Sequence, residues 1–412
     1  MSQVYVVGAA RTPMTGNKGG GLSSIRPFAL GGEAAKGAIA KAGIDVNLVD
    51  EVIGGNATQT GFQGFNIART ATISDLKSSI PASTVNMLCG SSAQAIRFAA
   101  NQIAAGDNDI VLVIGAENNH LVSQGADLLP ALPYLKGPAE TVKTLIRNTV
   151  RTIKRGPQIA KESLPPTYAL FPMGTSGDAI AQTYGITREE ADKFARDSQL
   201  KAANAAFSGY FDREIVPIHT PKGIVKRDES IRPETTVSGL GKLKPSFTND
   251  GIHTAGNSSQ ISAGAAALVL AGEDAVKEYS LKPLARIVAS AVVAVDPQIA
   301  HQQLIGPIDA IKKVLKKANL TINDIDLFEI NEAFASVVLL TQRELKIPME
   351  KINVNGGAIA LGHPLGTSGA RLPVTLIHEM HRRAAEGKPS RYGLSVLCIG
   401  GGQAIATIFE RV

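Results

Sequence analysis

The chain has 412 residues, of which 44% are hydrophobic and 19% charged, a globular composition with length for two or three domain-sized units. A net charge of +6 with no Lys/Arg block interleaved with aromatics suits an anionic small-molecule substrate and argues against nucleic acid. Two cysteines far apart in sequence form neither a disulfide framework nor a CxxC metal pattern, so a reducing, cytoplasmic setting is expected.

Residues 4–8 predict a strand so close to the start that no leader peptide is expected. Arg11-Thr12-Pro13 and the glycines at 16 and 19–21 predict an exposed loop, with no helix in the register a dinucleotide site needs. Helical periodicity covers 28–42 and 65–74, with a turn at 44–48 and a strand at 51–54 between them. A strand over 82–87 enters a corner of small residues, Cys89-Gly90-Ser91-Ser92-Ala93. A nearly uncharged helix over 91–105 comes next, expected to be buried on all sides. Residues 109–115 predict a fully buried strand. This alternation implies a covered, largely parallel sheet.

Between 120 and 250 the character changes. Prolines cluster up to Pro172, and Lys143, Arg147 and Arg151 share one face of a predicted helix. That basic face is either solvated or turned to phosphates, a partner subunit or an acidic membrane surface. Thr187 and Glu190 predict a capping box for a helix over 187–206. The segment reads as a lid or loop domain. The α/β pattern returns with a strand-like run at 284–295 and helices at 307–318, 332–345 and 369–386. Strands are expected at 351–354, 392–398 and 404–409. The run Thr84-Val85-Asn86, with its small-residue corner, helix and strand, is echoed by Asn353-Val354-Asn355 with a glycine-rich corner, a helix and the strand ending at Gly400. Either half of the fold is duplicated or two βαβ units are alike by chance. No apolar run reaches membrane-spanning length, so no integral membrane association is expected.

Four positions can bear chemistry. Cys89 at a helix N-terminus should favour thiolate and act as a covalent nucleophile; the alternative is a buried small hydrophobe. Cys398 ends a strand before Ile399-Gly400-Gly401-Gly402, a geometry expected to expose its thiol beside free N–H groups. Of seven histidines only His363 stands apart, held between Gly362 and Pro364 in a glycine-rich run. A neutral imidazole there can take a thiol proton and then donate to an oxyanion. Asn331, where a strand turns into a helix, either caps that helix or orients a water.

The Cys89 corner, the Asn331-Glu332-Ala333-Phe334-Ala335 run, the stretch from Gly362 to Arg371 and the Cys398-Ile399-Gly400-Gly401-Gly402 run resemble the thiolases. So do Ala10-Arg11-Thr12-Pro13 and Ala255-Gly256-Asn257-Ser258-Ser259, and the resemblance spans the chain. It implies an α/β fold of duplicated βαβαβαββ halves, stacked as a five-layered α-β-α-β-α body with an inserted loop domain. The halves would be 1–120 with 250–275 and 276–412, and the loop domain 121–249. It implies thiolysis of a 3-ketoacyl-CoA by CoA, or the reverse Claisen condensation. Cys89 would carry the acyl group, His363 act as base, Cys398 as acid and base, and Asn331 hold a water. N–H groups of Cys89 and Gly400 would hold the oxyanion. Arg232, Ala255, Ser259, Met173, Ala333 and Phe334 would line the acyl-CoA site. CoA is a substrate, and no metal or prosthetic cofactor is needed. A homodimer or homotetramer is expected. Ser92 and Ala263 stand where many thiolases have Gly and Asp. Pro172 before Met173 is similar to the longer-chain, degradative type rather than the biosynthetic acetoacetyl-CoA type. Ketoacyl synthases, which typically pair Cys with two histidines, fit less well; a non-catalytic acyl-CoA-binding protein is disfavoured by the complete set.

Overall fold

The structure is a computed structural model that describes residues 2–16, 19–121 and 173–412. The predicted basic face at 143–155 and Pro172 lie outside the described residues.

Strands β1 (Val4–Arg11), β2 (Glu51–Gly55), β3 (Ala82–Val85) and β4 (Ile110–Asn118) alternate with helices α1 (Pro27–Ala42), α2 (Ile67–Asp75) and α3 (Ser91–Ala105). Then come α4 (Met173–Tyr184), α5 (Arg188–Phe207), a hairpin of β5 (Ile218–Thr220) and β6 (Gly223–Val225), and α6 (Val237–Gly241). Strand β7 (Ala263–Gly272), α7 (Glu273–Glu278), β8 (Ala285–Ala294), α8 (Gly306–Ala318) and β9 (Leu327–Ile330) continue the chain. Helices α9 (Ala335–Leu345), α10 (Ala358–Leu361) and α11 (Leu365–Ala385) precede the closing hairpin of β10 (Tyr392–Ile399) and β11 (Gln403–Arg411).

The sheet order is β3-β2-β4-β7-β1-β8-β11-β10-β9. It is two copies of one pattern. In the first, β2 runs parallel to β3 and β4, and β7 is antiparallel to β4 and β1. In the second, β9 is parallel to β10, and β11 is antiparallel to β10 and β8. Ile352, bridged in parallel to Phe328, stands where β3 stands in the first copy. Only Tyr5↔Arg286 and Val6↔Ala285 join the copies as paired strands among the described residues.

Strands β4 and β7 are buried along their whole length, as expected of near-continuous apolar runs covered on both faces. Helices α1 and α2 cover the outer face of the first copy through Leu30, Ala34, Ala38 and Ile67. Helices α8 and α9 cover the second through Ile311, Val314, Val337 and Val338. Between the copies lie α3 and α11, with Ile96, Ala99, Val374 and Ile377 in one core with Val113, Leu268 and Phe409. The result is five layers, α-β-α-β-α. The two middle helices meet closely: a Cβ on Gly369 would sit 2.3 Å from the Ala93 nitrogen.

Several local expectations change. Helix α3 is not buried all round; Phe98 is 42% exposed. The predicted strand at 351–354 is one bridge, because Asn353 takes a positive φ of 43° and its side chain bonds back to Ile330. Arg11 and Thr12 are buried rather than exposed, since Glu214 and Asp228 meet the guanidinium at 2.6 and 2.7 Å. The capping box of α5 forms as expected. No helix among the described residues is long and apolar enough to cross a membrane.

Candidate active site

Local hydrogen bonds shape the Cys89 corner. Asn86 Oδ1 accepts the Leu88 N–H at 2.9 Å, and Ser91 Oγ accepts the Met87 N–H at 3.0 Å. Leu88 turns with φ 47°, which leaves Cys89 just before Gly90, the N-cap of α3. The half-buried Cys89 thiol faces the Gly400 N–H from the opposite copy. Burial nevertheless pushes the thiol up to about 11, with the Gly400 and Cys89 N–H groups pulling down and Glu117 adding to the rise. The expected thiolate is therefore not the resting form: desolvation outweighs the helix terminus.

Cys398 lies in β10 opposite Ala404, ahead of Gly401 and Gly402 with φ of 76° and 75°. Its thiol is not exposed as expected; the residue is 2% accessible. Burial, and charge on the neighbouring Cys89, push the thiol far up. Both cysteines are free.

His363 follows Gly362, whose φ of 105° only glycine adopts easily. Its N–H reaches Ser262 Oγ at 3.1 Å and the Gln260 carbonyl at 3.2 Å. Nδ1 lies 2.6 Å from Ser368 Oγ, whose single proton goes to the Pro364 carbonyl at 3.0 Å. Nδ1 is thus assigned the imidazole proton and Nε2 the lone pair. Asn331 Nδ2 lies 3.4 Å from Nε2. Burial first, and Arg371 second, drop the imidazole to about 3.

Asn331 does not cap α9, which starts three residues later than expected with Phe334 at its N-cap. Residues 333–335 instead pair with the 255–259 run. Ser259 N–H reaches the Ala333 carbonyl at 3.0 Å, Ala335 N–H the Asn257 carbonyl at 3.1 Å, and Ser258 bridges Phe334. Asn331 N–H bonds the Val396 carbonyl at 2.9 Å, two residues before Cys398, so the imidazole–amide pair and the two thiols are neighbours. Asn331 Oδ1 is buried without a protein partner.

Of the remaining expected residues, Ala333 and Phe334 are buried, Ser259 and Met173 half-buried and Ala255 exposed. A Cβ on Gly400 would lie 2.9 Å from Leu88 Cδ1 and 3.7 Å from Met173 Sδ, so both side chains roof that glycine. Phe334 meets Phe247 edge-on at 5.6 Å. Arg232 is exposed, with its N–H on Gln199 Oε1 at 2.7 Å; no described contact joins it to the cluster.

Sequence reasoning missed four supports. Ser368 fixes the His363 tautomer. Leu88 roofs the site. His253 is fully buried, with Nε2 2.8 Å from Ser336 Oγ, not the unremarkable histidine expected. Glu117 accepts N–H bonds from Ala57 at 2.7 Å, Thr58 at 3.1 Å and Gly366 at 3.0 Å, tying the His363 loop to the first copy. A lone acid at the end of the otherwise apolar β4 was the available signal.

A doubled five-layered body with two thiols, an imidazole and an amide gathered at one set of strand ends has the architecture of an acyltransferase. The family descriptions "Thiolase, N-terminal domain" and "Thiolase, C-terminal domain" match residues 4–274 and 281–411. A 3-ketoacyl-CoA thiolase of Klebsiella pneumoniae is 42% identical, with 100% of both chains covered. A probable acetyl-CoA acyltransferase of Staphylococcus epidermidis is 41% identical over 100% of this chain and 99% of its own. Human mitochondrial 3-ketoacyl-CoA thiolase, solved in complex with CoA, superposes with a TM-score of 0.85 at 36% identity, covering 100% of this chain and 98% of that one. The chain belongs to the thiolase family and is an enzyme of that family.

Proposed function

We propose that this thiolase works in the degradative direction of fatty-acid metabolism, cleaving 3-ketoacyl-CoA with CoA through an acyl group carried on Cys89. The observation that supports it most is the meeting of two thiols from opposite copies, with the Gly400 N–H on Cys89 and charge on Cys89 felt at Cys398.

In this reading His363 Nε2 takes the Cys89 proton as sulfur attacks the 3-keto carbon. The bond between C2 and C3 breaks, and acetyl-CoA leaves as an enolate. The new Nε2–H and a water on Asn331 hold the enolate oxygen, and Cys398 delivers its proton to C2. Its high thiol pKa suits both halves: it keeps the proton until the enolate forms and is a strong base afterwards. Cys398 then takes the proton of the incoming CoA thiol, whose sulfur attacks the acyl-cysteine. Cys89 leaves as thiolate and recovers its proton from His363, so each group ends as it began. N–H groups of Cys89 and Gly400 hold the tetrahedral oxyanions, each such donor contributing about 10²–10³ in rate.

Residues 121–249 act as the loop domain over CoA, between halves at 1–120 with 250–275 and 276–412. Arg232, Ala255 and Ser259 meet CoA, while Met173, Ala333 and Phe334 border the acyl group. The chain works as a cytoplasmic homo-oligomer. Edge strand β3, with Phe98 exposed beside it, supports self-association. The test is a series of thiolysis rates on 3-ketoacyl-CoAs of four to sixteen carbons. Activity that persists at ten carbons is expected, and Cys89→Ala should abolish it. A strict four-carbon preference would instead favour the biosynthetic acetoacetyl-CoA reading, and full activity in Cys89→Ala would end the acyl-cysteine mechanism.

A further inference from the structure

Helix α11 lies at the centre of the five layers, yet it bears a polar stripe at three- and four-residue spacing: the buried Ser368, Arg371 and Thr375 and the half-buried His378. Ser368 holds His363; Thr375 reaches Glu214 Oε1 at 3.2 Å and His378 the Ala9 carbonyl at 3.0 Å. Arg371 is the member that the chemistry above leaves idle. Its Nη1 lies 2.9 Å from Glu329 Oε2, and both side chains are nearly inaccessible, at 2% and 4%. Its Nη2 is buried with no protein partner.

The two ends of this pair sit one step behind the site. Arg371 is one helical turn beyond Ser368, which grips the imidazole. Glu329 is two residues before Asn331, at the end of β9. An ion pair between them therefore spans the two walls that carry His363 and Asn331. We propose that Arg371, gripped by Glu329, is a positioning residue that pins α11 to the end of β9 and keeps His363 and Asn331 in register.

Replacing such a pair with apolar groups is often neutral or stabilising for a fold, so stability alone is a weak reason to bury it. Titratable and charged groups also stand on the other elements packed around the His363 loop: Cys89 before α3, Cys398 at the end of β10, Glu117 on β4 and Glu329 on β9. Burial first, and then the charge of Arg371, disfavour protonation of the imidazole. Burial first, with Glu332 and Glu214 nearby, pushes the Glu329 carboxyl up, and Arg371 pulls it down. A neutral imidazole with a free Nε2 is what the proposed base requires, and the inference rests on that reading for its purpose.

The test tracks the His363 ring nitrogens by NMR in ¹⁵N-histidine-labelled protein from pH 8 to pH 4, with His363→Asn identifying the signal. Wild type should stay neutral, with the proton on Nδ1. Arg371→Met should shift protonation upward by about one pH unit, and Arg371→Lys, which keeps the charge, should remain near wild type. A folded Arg371→Met that titrates like wild type would overturn the idea, as would an Arg371→Lys that moves as far as Arg371→Met. Should Arg371→Met fail to fold, the double variant Arg371→Met/Glu329→Leu replaces the pair with apolar groups and meets the same expectation. The signal needs no turnover. Absent thiolysis in wild type would therefore sink the proposed function while the titration still decided the role of Arg371.

Discussion

Ser368→Ala isolates the tautomer of the imidazole proposed as the base. In the wild type Ser368 Oγ accepts the Nδ1–H at 2.6 Å and passes its own proton to Pro364, 3.0 Å away. Both residues are buried, so the variant leaves the Nδ1–H without a partner or moves the proton to Nε2. The first outcome costs about 1–3 kcal/mol, the penalty of an unpaired buried donor. The second removes the lone pair that faces Asn331 and that, in the proposed mechanism, takes the Cys89 proton. In both cases the base-competent form is disfavoured by about 1–3 kcal/mol, roughly a 5- to 150-fold loss in kcat. KM should change little, because no CoA contact is touched. Steady-state thiolysis, with a melting curve to confirm folding, measures it. A folded Ser368→Ala with kcat within about twofold of wild type would refute the assignment of the proton to Nδ1.

Two further titrations probe the same site. His363 is held at about 3 in the fold against 6.5 when free, so the unfolded chain binds the extra proton first as pH falls. Its contribution to stability is whole above pH 6.5 and is lost between 6.5 and 3, roughly 2 kcal/mol by pH 5. Urea midpoints should thus fall more steeply with acid in wild type than in His363→Asn; parallel curves would count against a neutral buried imidazole. Cys89, pushed up to about 11, should be alkylated by iodoacetamide at a rate rising about tenfold per pH unit from pH 7 to 10, read by mass spectrometry of its peptide. A plateau near neutral pH would reveal a thiolate–imidazolium pair in place of the neutral resting pair.

The amino-acid sequence alone determined the alternation of strands and helices, the echo between the halves, and the four corners that hold Cys89, Asn331, His363 and Cys398. These are written in local signals: hydrophobic period, capping residues and runs of small residues. Tertiary structure decided the states of those groups. Cys89 meets the N–H groups that should favour thiolate, but burial outweighs them. Cys398 is closed off rather than exposed. Asn331 turns to His363 instead of capping α9, because residues 333–335 pair with a distant run. Arg371 and Glu329 lie 42 positions apart, and Arg11 and Asp228 lie 217 apart. Burial and charge compensation depend on which distant residues the fold brings within a few ångströms, and no local pattern encodes that.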